Sequence, residues 1–240
     1  MRYAIIAAGE GSRLVAEGIR ESKPLVRVQG VPLIDRLLRI FMSHDATDIV
    51  VICNEHMIDV QDHLLCLQRD GLDGQKIPLR YKVKNTQSSM HSLYELSDWL
   101  EGEPFCLTTV DTIFREDDFS RYVRLFNDMV QHNQADGLMG VTDYVDDEKP
   151  LYVGVDADKR VTGFYDDSHD CKYISGGIYG LMPRSLDTLK ACVKRGEHRM
   201  RNFQRALIAD GLRIYACPFS KVLDIDHMSD LVAAEMFLKA

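Results

Sequence analysis

The sequence predicts a three-layer α/β/α fold, a mixed and mostly parallel sheet covered by helices on both faces. Three observations lead there. The N-terminal half alternates short apolar runs with amphipathic stretches of helical period. Its first run, residues 3–8, is continuously apolar and ends in glycine, as a strand buried on both faces requires. The 240 residues are 45% hydrophobic and 28% charged, the balance of a packed chain with one sizeable core, and they contain no repeat or low-complexity linker.

The elements follow in order. Residues 31–42 place Leu33, Leu37, Leu38 and Phe41 on one helical face. Residues 48–53 form the next strand, 56–68 a helix, 79–83 a third strand with a polar exit at Lys84-Asn85-Thr86-Gln87, and 88–100 a helix. Residues 104–110 are another buried strand closing on Asp111, and Asp117-Asp118 opens a helix carrying Tyr122, Leu125, Phe126 and Met129. From Gly137 the pattern changes. Residues 138–144 are extended, 152–165 are a hairpin turning at 156–159, and 173–182 are an apolar strand containing Gly176-Gly177. Helices from about Pro183 and Arg199, a strand over 212–217 and a terminal helix from His227 complete the chain.

Charge and cysteine content narrow the function classes. Lys and Arg number 29 against 37 Asp and Glu, a net charge of -8 that repels polyanions and argues against nucleic-acid binding. A phosphate ligand then needs a local cationic cluster. No run approaches the ~20 apolar residues of a membrane span, so no membrane partner is expected. The apolar N-terminus is better explained as a buried strand than as a leader, because Gly9-Glu10-Gly11-Ser12-Arg13 follows at once. The six cysteines, Cys53, Cys66, Cys106, Cys171, Cys192 and Cys217, form no C-x-x-C pair, which fits reduced thiols in a cytoplasm.

In parallel sheets, ligands sit at the carboxyl ends of strands, which selects the segments after Ala8, Val83 and Val110. After the first strand comes Ala7-Ala8-Gly9-Glu10-Gly11-Ser12-Arg13-Leu14, with Lys23-Pro24-Leu25 nine residues later. The two glycines let backbone N–H groups approach a polyphosphate, and Arg13 and Lys23 can neutralise charge on an α-phosphate and a leaving pyrophosphate. Leu14 stands where a dinucleotide fingerprint needs its third glycine, and no Gly-Lys-Ser/Thr closes a Walker loop. An NAD-dependent oxidoreductase is disfavoured on the same ground.

These residues resemble the signature A-A-G-x-G-S/T-R-L, followed by K-P-L, of the nucleotidylyltransferases that make NDP-sugars and related NDP-alcohols. The resemblance implies a Rossmann-like fold of the nucleotide-diphospho-sugar transferase type over residues 1–240, with a nucleotide-binding half at about 1–135 and an acceptor-binding half at about 136–240. It implies transfer of a nucleotidyl group from an NTP to a sugar phosphate with release of pyrophosphate. A cytidylyltransferase acting on an alcohol phosphate such as phosphocholine or a polyol phosphate is the alternative, and a non-catalytic sugar-nucleotide sensor is a reading of another class. Ala8, Gly9, Gly11 and Ser12 are expected at the triphosphate, and Arg13 and Lys23 in catalysis.

Mg²⁺ is the implied cofactor, held by Asp111 and Asp224, since two carboxylates plus phosphate oxygens and water suit an octahedral cation. Asp111 keeps the family's metal aspartate without the preceding glycine. Asp224 is preferred by family position, and Asp226, two residues on and facing the same side of a strand, stays open. Asp230 reads as a first-turn helix carboxylate. In the base-recognition segment Asn85 or Gln87 can bond a base edge, while Ser88 and Ser89 suit either nucleotide contact or helix capping. On the acceptor side Gly177, in Ser175-Gly176-Gly177-Ile178-Tyr179, matches a glycine lining the sugar pocket. The family's E-K-P lysine has no counterpart in place, because Glu148-Lys149-Pro150 precedes the hairpin and Phe164-Tyr165-Asp166-Asp167 stands where the motif belongs. Lys172 or Lys149 is left to supply that charge. Cys171 with His169 reads as loop chemistry and Trp99 as core. The base, the acceptor and whether the chain forms a homo-oligomer are left open.

Overall fold

The computed structural model describes residues 1–146 and 149–239. Strand β1 (Arg2–Ala7) is buried from Tyr3 onward, as its unbroken apolar run requires. A short helix α1 (Ser12–Ala16) and a 3-10 turn over Lys23–Leu25 follow; neither is long enough to leave a periodic signature. A two-stranded ribbon, β2 (Arg27–Val28) and β3 (Val31–Pro32), then occupies the first residues of the segment read as helix 31–42. Pro32 explains the difference: it keeps Val31 extended, and helix α2 (Leu33–Met42) begins after it.

Strand β4 (Asp48–Cys53) leads to α3 (Ile58–Asp70), which starts two residues later than the periodicity suggests. The Asn54 side chain accepts from His56 N at 2.9 Å and holds that stretch as a turn. Strand β5 (Leu79–Val83), helix α4 (Ser89–Leu100), strand β6 (Phe105–Thr109), the short β7 (Thr112–Ile113) and helix α5 (Glu116–Gln131) complete the first half. The second half runs through β8 (Gly137–Thr142), β9 (Tyr152–Val155), β10 (Val161–Tyr165), β11 (Tyr173–Leu181), α6 (Ser185–Lys194), α7 (Met200–Ala209), β12 (Ile214–Pro218), β13 (Leu223–Asp224) and α8 (Met228–Lys239).

Among the described residues, nine strands make the main sheet. Strand β1 pairs in parallel with β4 on one side and β6 on the other, and β4 pairs in parallel with β5. Strand β11 runs antiparallel to both β6 and β8, β12 lies parallel to β8, and the β9–β10 hairpin joins the start of β11. The chain moves outward from β1 through β4 to β5, then returns to the far side of β1 as β6. Strand order therefore reverses between β1 and β6, and a crevice opens there at the carboxyl ends of the strands.

Alternation along β1 assigns the two faces. Tyr3, Ile5 and Ala7 join the core that holds Leu33, Leu37, Phe41, Phe119, Tyr122 and Phe126, whereas Ala4 and Ile6 join the one that holds Met90, Leu93, Leu96, Leu186, Phe203 and Leu207. Helices α2 and α5 thus cover one face and α4, α6 and α7 the other, which completes the three layers. Aromatic rings bind the first core: Tyr3 stacks on Phe41 with centroids 4.3 Å apart. Among the described residues, no helix is long and apolar enough to cross a membrane.

Helix α5 comes so close to the sheet that a Cβ on Gly180 would lie 2.7 Å from the Tyr122 hydroxyl and 3.0 Å from the Phe126 ring. That hydroxyl donates to Leu138 O at 2.8 Å, so it has no cheap retreat. Gly180→Ala should lower stability by about 1–3 kcal/mol, seen as an earlier midpoint in urea unfolding with an unchanged slope. Burial pushes the thiols of Cys53, Cys192 and Cys217 up to about 11 and that of Cys106 to about 12. A disulfide-exchange reagent near neutral pH should therefore modify Cys66, which is exposed, and Cys171, which is half-buried, and reach the other four only after denaturation.

Candidate active site

The loop leaving β1 turns at Gly11, whose φ of 62° is left-handed and whose Cβ position lies 3.0 Å from Lys23 Cβ. Only glycine meets both constraints without strain. Gly9 has no neighbour within 4 Å of its Cβ position and faces open space. Ser12 and Arg13 open α1 just beyond, so the loop's backbone and the arginine share one rim.

Lys23 lies in the 3-10 turn and is only 8% exposed. The turn is anchored through Ser22, whose backbone N and hydroxyl both donate to Asp59 on α3, at 3.2 and 2.6 Å. The Lys23 ammonium donates to Asp111 and, at 2.7 Å, to Asp226 Oδ1. Arg13 Nη1 reaches the other oxygen of Asp226 at 2.9 Å. Burial alone pulls Lys23 down, but Asp111 and then Asp226 outweigh it and hold the ammonium above its ordinary value. Burial likewise pushes Asp226 up, while the hydrogen bond and charge of Lys23, followed by the charge of Arg13, outweigh it and leave the carboxyl lowered. Both groups are ionised at neutral pH.

Asp111 follows β6, and a small ribbon ties the C-terminal segment to that exit. Strand β13 pairs antiparallel with β7, Leu223 against Ile113 and Asp224 against Thr112. Ile225 N then donates to Asp111 O at 3.1 Å. The strand ends at Asp224, and the turn after it delivers Asp226 to Lys23, beside Asp111. Asp224 lines two adjoining clefts, one of them together with Arg13 and Asp226. Asp230 accepts from Asp226 N at 2.9 Å and His227 N at 2.6 Å, the helix-start role read from its position. Glu17, just beyond α1, accepts from Met228 N at 2.7 Å and contacts His227 Nδ1 at 2.6 Å, fixing the same turn to the glycine loop.

These groups floor a cleft of about 830 Å³ at the β1–β6 crevice, within the ~300–1,000 Å³ range of small-molecule sites. Ala8, Gly9, Gly11, Ser12, Arg13, Lys23, Asn85, Ser89 and Asp111 all line it. Asn85 is held by Glu55: its Oδ1 accepts from Glu55 N at 3.0 Å and its amide donates to the Glu55 carboxylate at 3.1 Å. Ser88 caps α4 by accepting from His91 N, and Ser89 is the first helical residue. Asn54, His56 and Thr86 also line the cleft and were not singled out from sequence. Asn54, buried, donates to Ala8 O at 3.2 Å and so braces the glycine loop. The signal was available, because Asn54 directly follows Cys53 at the end of β4, a strand exit like the others.

A second cleft of about 470 Å³ adjoins the first and shares Ser88, Ser89 and Thr109 with it. Its wall includes Gly177, whose φ is +69° where β11 shifts register between Ser175 and Ile178. Gln204 donates to Ser175 Oγ at 3.0 Å across this wall. Lys172, expected at the acceptor, lies outside both clefts: it is 68% exposed, 3.9 Å from Asp143, with its ammonium over the Tyr173 ring. Tyr173 takes the inward position of the alternation and leaves Lys172 the outward one. Lys149 does line the second cleft. Glu148 lies outside the described residues.

The sequence model of the nucleotidyl transferase family matches residues 3–240. A search of curated proteins finds no match. Solved structures that resemble the chain include a putative glucose-1-phosphate thymidylyltransferase from Bacillus anthracis, 21% identical, with a TM-score of 0.82 over 99% of this chain and 94% of that one. The inositol-1-phosphate CTP transferase from T. maritima is 17% identical, with a TM-score of 0.78 over 98% of this chain and 94% of that one. A UDP-glucose pyrophosphorylase is 16% identical, also with a TM-score of 0.78, over 98% and 97%. At these identities the structures speak for the fold, and the match over almost the whole chain speaks for the family: this protein belongs to the nucleotidyl transferases.

Proposed function

We propose that the protein transfers a nucleotidyl group from an NTP to a sugar phosphate, forming an NDP-sugar and releasing pyrophosphate. One observation carries the reading: buried Lys23 is gripped by Asp111 and Asp226 at the floor of a cleft that opens directly into a second one. Two adjoining clefts with charge at one floor suit two anionic substrates that react with each other.

The acceptor phosphate is already a nucleophile, so the site needs no general base. Catalysis is then positioning of the two substrates in line, with neutralisation of charge on the pentavalent phosphorus and on the leaving pyrophosphate. Backbone N–H groups around Gly9 and Gly11, with Ser12, would take the triphosphate, and Arg13 and Lys23 would balance its charge. Asn85 and the start of α4 lie where the base would lie, and Gly177 where the acceptor would. Asp111 and Asp226 are hard oxygen donors, and a pair of carboxylates completed by phosphate oxygens and water fits Mg²⁺. Bound there, the ion would withdraw charge from the phosphates as a Lewis acid. The likeness to an inositol-1-phosphate CTP transferase supports a second reading, an alcohol phosphate as acceptor. Free thiols, four of them buried, support a cytoplasmic setting.

The test is pyrophosphate release across all NTPs with Mg²⁺ and pools of sugar 1-phosphates and alcohol phosphates, with Asp111→Asn as the control. Release should need one NTP and one pool, vanish in the control and stop on chelation until Mg²⁺ is restored. Tight NTP binding with no release from any pool would instead assign the chain to sensing. Lys23→Ala should lower turnover about 10²–10³-fold with little change in NTP affinity, and a change in affinity alone would remove Lys23 from the chemistry. Gly11→Ala should cost about 1–2 kcal/mol of stability and, by crowding the Lys23 stem, reduce turnover in protein that still melts cooperatively.

A further inference from the structure

The acceptor cleft continues past Gly177 into a third depression of about 350 Å³. Lys149, Arg199 and Arg201 belong to both, and Asp166, Asn202 and Arg205 complete the far end. This depression shares no lining residue with the triphosphate cleft. The three hollows therefore form a row with the acceptor cleft in the middle.

Among the described residues, charge at the far end is one-sided: Lys149, Arg199, Arg201 and Arg205 line it with a single carboxylate, Asp166. Asp166 is fully engaged. Arg205 Nη2 lies 2.8 Å from it, Arg201 Nη1 donates to it, and the two arginines hold its carboxyl below the ordinary range. Arg205 Nε also donates to Phe164 O at 3.1 Å, and Arg201 Nη2 to Lys149 O at 3.1 Å. Those bonds orient both guanidinium groups before any ligand arrives. Arg199, exposed at the entry to α7, makes no side-chain hydrogen bond or ion pair among the described residues.

We propose that this far end is an anion subsite and that the acceptor carries a second acidic group, a phosphate or carboxylate, at the end opposite the phosphate that receives the nucleotidyl group. The inference rests on the transfer reading above. The reacting phosphate must lie beside Lys23, Asp111 and Asp226, in a cleft that has no wall in common with the far depression, so one phosphate cannot serve both ends. An acceptor lying along the middle cleft spans them. Guanidinium forks suit a second phosphate or carboxylate because each can donate two parallel hydrogen bonds to it. Asp166, standing where the resembling family carries E-K-P, organises this arrangement by fixing Arg201 and Arg205 of α7 rather than by offering a lysine.

Calorimetry on the intact protein tests the subsite with glucose 1-phosphate, glucose 1,6-bisphosphate and inorganic phosphate as probes. The bisphosphate should bind about tenfold or more tighter than the monophosphate, and Arg199→Ala and Lys149→Gln should each reduce that preference while NTP affinity is retained. Equal affinity of the two sugar phosphates, or no binding of either, overturns the proposal. So does an equal loss for both in Arg199→Ala, which would give these cations to the transferred phosphate. If inorganic phosphate added to glucose 1-phosphate reproduces the whole gain and the bisphosphate shows none, the anion is a separate effector and the proposal also falls. The pyrophosphate assay keeps the two readings apart. No release from any NTP and acceptor pair defeats transfer itself, whereas release from singly anionic acceptors that is insensitive to Arg199→Ala defeats only the subsite.

Discussion

An ammonium taken out of water is tolerable only with anions at hand, and Lys23 meets that condition by bonding two carboxylates at once. Asp111 is supplied by the exit of β6 and Asp226 by a turn near the end of the chain. The lysine itself is supplied by a 3-10 turn that Asp59 of α3 holds through Ser22. Three distant stretches must therefore agree on one point, and most of the local architecture serves that agreement. The β7–β13 ribbon is only two residues long on each side, and with the bond from Ile225 N to Asp111 O it registers the C-terminal turn against β6. Glu17 and Asp230 then fix the turn from both sides.

The sheet explains why this point lies in a crevice. Strands β4 and β6 flank β1 in parallel, and the chain approaches them from opposite directions, so their following loops diverge and leave a gap. The glycine loop fills one side of the gap and the β6 exit the other. Strand β11, antiparallel to β6, walls the second cleft where its pairing with β8 shifts register at Gly176-Gly177.

Features encoded locally were legible in the sequence. The buried strands announce themselves as apolar runs, the turn that lines the cleft as two glycines and an arginine at a strand exit, and the helices of the first half as apolar stripes. What could not be read depends on pairing between remote segments. That Asp226 reaches Lys23 depends on the strand stopping at Asp224, which the ribbon decides and the local sequence does not. Placing Lys172 needed only the alternation around Tyr173, and that signal was present. Lys149, Arg199 and Arg205 lie on a loop and two turns of one helix, and nothing in their spacing announces that they share a hollow.

The stitching of the last turn also orders events in time. A chain emerging N-terminus first has β1, β4, β5 and β6 in place, and with them Lys23 and Asp111, long before Asp226 exists. Until the final segment arrives, the lysine has one carboxylate and a buried charge only partly compensated, so the glycine loop lacks its fixed partner and the floor of the cleft is unfinished. The floor of the cleft is thus finished only when β13 and the turn after it arrive, and a chain interrupted before β13 would carry the glycine loop without that charge balance.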